Sequence, residues 1–110
     1  KKEEMTSKSK SSKDKELDFD IDRIVSDIQM SQLESATNLY DGGTITKAQL
    51  KTINTKIINQ TDKEKENILK DKNYDDIVKR KENHNLSDRE LREFLDPYLS
   101  RIQEVIQQNI

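Results

Sequence analysis

The chain has few of the residues on which common scaffolds and reactions depend. Its 110 residues include no Cys and no Trp, one His, one Pro and two Gly. Without Cys there is no disulfide framework, no thiol nucleophile and no thiolate metal site, a composition compatible with either side of a membrane. No apolar run approaches the roughly 20 residues of a spanning helix, and none follows the basic start as a signal peptide requires.

The same scarcity argues against catalysis. The only histidine, His84, lies in a polar turn-like stretch, and no glycine-rich phosphate loop is present. A carboxylate pair is the remaining route to acid and base chemistry, but nothing singles out such a pair among 22 acidic residues. We therefore predict a protein that is not an enzyme, with no catalytic residues, no cofactor and no metal site.

Charged residues are abundant and unevenly placed. They make up 38% of the chain against 30% hydrophobic residues, which is enough for one domain with one modest core. Net charge by segment is +3 over 1–15, −6 over 16–46, +4 over 47–81 and −3 over 82–110. The lysines of 47–81 alternate with acids, which favours a solvated helical face over a DNA-binding surface. Nucleic acid is therefore not the expected partner.

Helical periodicity predicts an all-α fold. Residues 1–17 are Lys/Ser-rich with little to bury and are predicted to be a disordered tether, whereas 18–110 are predicted to be a helical bundle domain. The first helix is predicted over about 19–40, with Asp18 or Asp20 as its N-cap. Gly42 and Gly43 end it, and Thr44 or Thr46 caps the next helix.

Three further helices complete the predicted bundle. The second runs over about 46–71, either continuous or restarted at Thr61 or Asp62, because the insert NQTDKEKEN (59–67) has little to bury. A short third helix is predicted over 74–82. The last helix begins with a capping box of Ser87 and Glu90, and Pro97 is predicted to kink it or to start a new helix. The prediction is a small antiparallel bundle of three main helices plus one short helix.

Two stretches resemble parts of a calcium-binding loop. The segment YDGGTITKAQL (40–50) has the turn glycine of an EF-hand, but its first acidic ligands are missing and Gln49 stands at the bidentate position. The segment DFDID (18–22) has three spaced carboxylates but neither the glycine nor the final ligand. We interpret the first as a helical hairpin turn and the second as acids at the start of a helix.

The C-terminal helix is the predicted source of a partner surface. Its apolar residues from Leu91 to Ile110 form more than one narrow stripe, and Phe94 and Leu99 widen the band to its flanks. We predict Phe94 and Leu99 as partner contacts, because exposed apolar patches mark interaction sites. The alternative is that the whole band is core. The identity of the partner protein and the oligomeric state are left open.

The chain begins at Lys1 rather than at Met, with a Lys/Ser-rich segment ahead of a small Cys-free helical domain. This arrangement resembles the mature part of a Gram-positive surface lipoprotein or secreted protein. The resemblance is to this class, without a particular family. It implies a protein-binding domain displayed outside the cell on a flexible tether, with membrane contact only through a lipid anchor. The competing hypothesis is a cytoplasmic phage- or plasmid-encoded regulatory or inhibitory protein that binds a host protein or DNA.

Overall fold

The computed structural model describes residues 12–110, with side chains from residue 16 onward. Its helices are α1 (Ser12–Asp41), α2 (Lys47–Leu69), α3 (Tyr74–Glu82), α4 (Asp88–Gln103) and the single turn α5 (Val105–Gln108). Over this range no strand occurs. The prediction of an all-α bundle with three main helices and one short helix is confirmed, and α5 is the last turn of the predicted final helix.

Helix α1 begins earlier than predicted. It starts at Ser12 rather than near residue 19, and Leu17 is fully buried. Leu17 lies one turn before Ile21 on the same helix face, so the buried stripe extends into the segment assigned to the tether. The predicted boundary at residue 18 therefore lies inside α1. The rest of the predicted tether, residues 1–11, lies outside the described residues.

The turn between α1 and α2 has the predicted residue chemistry. Gly43 has φ +80°, and the Thr44 N–H donates to the Leu39 carbonyl at 2.8 Å, which closes the C-terminal end of α1. Thr46 then forms a reciprocal capping box with Gln49. The residue at the bidentate position of a calcium loop is therefore a helix cap here. The hairpin places α1 and α2 side by side and antiparallel.

Helix α2 runs through the polar insert without a break. Thr61 and Glu64, both from the insert, are each 1% exposed. The Thr61 hydroxyl donates to the Ile57 carbonyl at 2.8 Å, so its polar group is satisfied within the helix. The alternative of a new helix starting at Thr61 or Asp62 is wrong, because the insert buries two polar side chains that the other helices accommodate.

The connection from α3 to α4 and the course of α4 are largely as predicted. His84 ends α3 as an exposed turn residue with φ 58°, and Ser87 forms the predicted capping box with Glu90. Pro97 lies inside α4, which continues to Gln103, so a new helix start at Pro97 is wrong. Pro97 lies on the exposed face, where water can satisfy the carbonyl that a proline leaves unpaired.

The core lies between α1, α2 and α4, with α3 and α5 closing its ends. Its buried apolar side chains are Leu17, Ile21, Ile24, Val25, Ala36, Ile45, Ile53, Ile57, Ile68, Ile77, Leu91, Leu95, Tyr98, Leu99, Ile102, Val105 and Ile106. Three apolar residues that helical periodicity predicts on the buried faces are instead exposed: Tyr40 at 38%, Leu69 at 56% and Ile110 at 62%. Leu69 follows the buried Ile68, and the step of about 100° per residue turns it away from the core.

Candidate interaction surface

An apolar groove lies at the end of the α1–α2 hairpin remote from its turn. Phe19 of α1 and Leu69 of α2 line a groove of about 400 Å³ together with Asp22 and Lys65. The Lys65 ammonium lies 2.7 Å from the Asp22 carboxylate and bridges the two helices at this point. Phe19 is 67% exposed, so most of its ring faces solvent. The groove therefore has an apolar rim around one ion pair.

A second apolar pair repeats the first along the hairpin. Met30 lies eleven residues from Phe19 on α1, and Ile58 lies eleven residues from Leu69 on α2, both toward the turn. Met30 is 65% exposed and Ile58 is 42% exposed. Eleven residues are three helical turns, a rise of about 16 Å on both helices. Because the rise is equal on two antiparallel helices, Met30 and Ile58 lie opposite each other as Phe19 and Leu69 do. We call these four side chains the apolar quartet.

The apolar quartet faces away from α4. On α1, Ile24 lines a groove with α4, and on α2, Glu64 is hydrogen-bonded to α4. Each quartet residue is five or six positions from one of these two, which is a rotation of about 120–140° around the helix. The quartet therefore forms an outer face on the hairpin, opposite the side that packs into the core.

The sequence contains the apolar residues of this surface, but they do not follow the helical period by which buried faces are predicted. Phe19 and Met30 fall outside the apolar stripe of α1, and exposed apolar residues scattered singly need no explanation. Among the described residues, six large apolar side chains are exposed, and four of them form the quartet. Only the antiparallel pairing of α1 with α2 brings these four onto one face.

The structure separates the two residues that were predicted as partner contacts. Leu99 is 4% exposed and belongs to the core, so its assignment to a partner-facing flank is corrected. Phe94 is partly buried, packs against the core and lies 6.2 Å from the Tyr98 ring, centroid to centroid. The band on α4 is thus mostly covered, chiefly by α1 and α2, which both pack against it.

No protein-family model, curated protein or solved structure matches this chain. The function must therefore be inferred from the molecule itself. Within residues 16–110, whose side chains the structure describes, no cluster of three or more histidine or acidic side chains is placed to hold a metal ion. Over the same range, no helix is long and apolar enough to span a bilayer.

The second unusual feature is a buried carboxylate between α2 and α4. Glu64 is 1% exposed, and Arg101 Nε donates to its Oε2 at 3.0 Å. Asn67 donates to Oε1 at 3.2 Å, and Gln60 donates to Oε2. A carboxylate out of water is costly unless its oxygens are paired and hydrogen-bonded. Glu64 meets this requirement through Arg101 of α4 and through Gln60 and Asn67 of its own helix.

The network continues to the end of α2 through Tyr98. The Arg101 guanidinium carbon lies 5.0 Å from the Tyr98 ring centroid, and the Tyr98 hydroxyl donates to Asp71 Oδ2. Burial, together with that hydrogen bond, raises the pKa of Tyr98 to about 12. The same bond, with a backbone N–H from Asn73, lowers the pKa of Asp71. Tyr98 therefore stays protonated and Asp71 stays ionised at neutral pH, as a structural pair requires.

The acids of DFDID and the basic side chains of 47–81 pair across the helices. Asp22 bonds Lys65 of α2, and Asp20 accepts from Lys81 of α3 at 3.1 Å. Asp18 accepts from the Tyr74 hydroxyl at 2.5 Å. The predicted capping role of these acids is wrong, because α1 begins six residues before Asp18. These acids instead connect α1 to α2 and α3, and two of them form ion pairs with lysines of residues 47–81.

Proposed function

We propose that this chain is a non-enzymatic protein-interaction domain that binds its partner through the outer face of the α1–α2 hairpin. The observation that carries the proposal is the apolar quartet, four large exposed side chains in matched positions on two neighbouring helices. Covering such a face removes apolar surface from water, the main driving force of protein association. Both helices of the hairpin are already formed in the free chain, so binding does not have to order their backbone.

Two further observations favour a protein partner over a reaction or a nucleic acid. The buried Glu64 has donors on both oxygens, so it is tied to structural partners rather than presented to a substrate. Lys65, Arg80 and Lys81 of the basic segment each form an ion pair with an acid of another helix. Basic side chains held in this way are less available to phosphates.

We propose that the domain is displayed outside the cell, and we prefer this location to the cytoplasmic alternative. This proposal is motivated by the Lys/Ser-rich residues 1–11, whose composition is typical of a flexible tether. Protease treatment of intact source cells tests this location. Digestion of the domain without lysis is expected, and protection until lysis would favour the cytoplasmic regulatory protein.

Site-specific photo-crosslinking tests the interaction surface. A photoreactive amino acid at Met30 should form adducts with another protein chain in source-cell extract, whereas the same group at the exposed Gln103 of α4 should not. Adding Phe19→Lys should abolish the Met30 adducts, because a charge then lies in the apolar face. Gln103→Lys is the control for added charge. Equal adduct yields from Met30 and Gln103 would contradict the proposal.

A further inference from the structure

We infer that a second copy of this chain covers the outer face of the α1–α2 hairpin, forming a two-fold dimer with four long helices at its centre. The inference rests on the proposed function and names the partner. The face is suited to its own copy because its two apolar pairs are equivalent. Each pair has one side chain from α1 and one from α2, at the same separation of eleven residues on both helices.

The two-fold axis that fits this arrangement runs parallel to the helices along the α1–α2 seam. Rotation about it lays α1 of one copy over α2 of the other, in antiparallel orientation. Phe19 then meets Leu69 of the second copy, and Met30 meets Ile58 of the second copy. All four apolar side chains of each copy are covered by apolar side chains, as an isologous interface requires.

Charge selects this axis over a two-fold axis perpendicular to the helices. The perpendicular axis would lay α1 on a second α1, although residues 16–41 carry seven acids against one Arg. The parallel axis lays acidic α1 on α2, where residues 47–69 carry five lysines against three acids. Opposite charges on facing surfaces favour one docking arrangement and suppress the other.

Side chains near the turn illustrate this complementarity. Glu34 and Asp41 at the end of α1 are exposed, as are Lys47 and Lys51 at the start of α2. Among the described residues, no salt bridge joins any of these four. In the parallel-axis dimer the acidic end of one α1 faces the basic start of the other copy's α2. Four charges that form no ion pair among the described residues thereby gain opposite partners.

The area of the face is sufficient for a stable pair. The 23 residues of α2 give a length of about 34 Å, and two helices about 10 Å wide give a face of about 700 Å² per copy. Both copies together would bury about 1,400 Å², within the roughly 1,200–2,000 Å² of specific protein interfaces.

Sedimentation equilibrium from micromolar to millimolar concentration tests the dimer. Wild type is expected to sediment as a dimer at the upper concentrations. Met30→Lys combined with Ile58→Lys should raise the dissociation constant at least 100-fold, while Gln103→Lys leaves it unchanged. Helicity, and the denaturation midpoint at a concentration low enough for both chains to be monomeric, serve as the folding control, because both replaced side chains are exposed. A wild-type monomer at millimolar concentration would overturn the inference.

Disulfide trapping tests the axis, since the native chain has no Cys to interfere. A mixture of Phe19→Cys and Leu69→Cys chains should oxidise to a mixed dimer. A mixture of Phe19→Cys and Met30→Cys chains should do so at least tenfold more slowly. The reverse order would overturn the parallel axis. If the wild type is monomeric but Met30 still crosslinks to a different protein, the self-pairing fails and the proposed interaction function stands.

Discussion

Replacing Arg101 with Met tests whether the buried Glu64 depends on its cationic partner. Methionine keeps much of the aliphatic length of the side chain and removes the charge and the hydrogen bond. The charge-assisted bond to Glu64, at 3.0 Å, contributes about 1.5–3 kcal/mol, and the guanidinium over the Tyr98 ring about 0.5–1 kcal/mol. Arg101 is 47% exposed, which lets water solvate part of the abandoned carboxylate. We therefore expect Arg101→Met to lower the free energy of unfolding by about 2–3 kcal/mol.

Denaturant unfolding of four chains measures this effect: wild type, Arg101→Met, Glu64→Gln and the double variant. Glu64→Gln keeps the shape and one acceptor oxygen, so it should cost less than Arg101→Met, which leaves a charge buried. The double variant should cost about 1 kcal/mol less than the sum of the single changes, because the two residues interact directly. Arg101→Met within 0.5 kcal/mol (roughly) of wild type, together with strictly additive single changes, would refute the reasoning.

Three further predictions concern α4, the hairpin turn and acid stability. Leu99→Ala should lower the free energy of unfolding by about 2–5 kcal/mol, because Leu99 is 4% exposed. Phe94→Ala should lower the free energy of unfolding by less, because Phe94 is only partly buried. Equal losses of stability for the two variants in calorimetry would contradict the conclusion that Leu99 is the more deeply buried residue. Gly43→Ala should cost about 1 kcal/mol because Gly43 has φ +80°. Gly42→Ala, whose added carbon would lie 3.4 Å from the nearest atom, should be close to neutral, and the two unfolding midpoints test this. The N-cap amide of α4 and a nearby arginine lower the pKa of Glu90 from 4.5 to about 2. The contribution of Glu90 to stability is present above pH 4.5 and lost as the pH falls toward 2. The free energy of unfolding of Glu90→Gln, measured against pH, should therefore change less than that of the wild type in that window.

Local signals in the sequence determined most of the helix boundaries. The capping box of Ser87 and Glu90 starts α4, and the glycines after Asp41 end α1, because these signals act through backbone groups a few residues away. The short α3 over residues 74–82 also lies where its pattern places it. The cap of α2 was predicted only as Thr44 or Thr46, and the structure shows that Thr46 forms a capping box with Gln49.

Tertiary structure decided which side chains of these helices are buried. Glu64 is a charged residue in a polar run, and its cationic partner, Arg101, reaches it from α4, 37 residues further along the chain. Leu99 is buried although it lies at the flank of its stripe, whereas Leu69 is exposed at the end of another. A helical period gives the apolar direction of one helix, but the width of the buried band depends on how many neighbours surround it. The apolar quartet likewise exists only once α1 and α2 are paired, since neither helix alone presents more than two of its side chains.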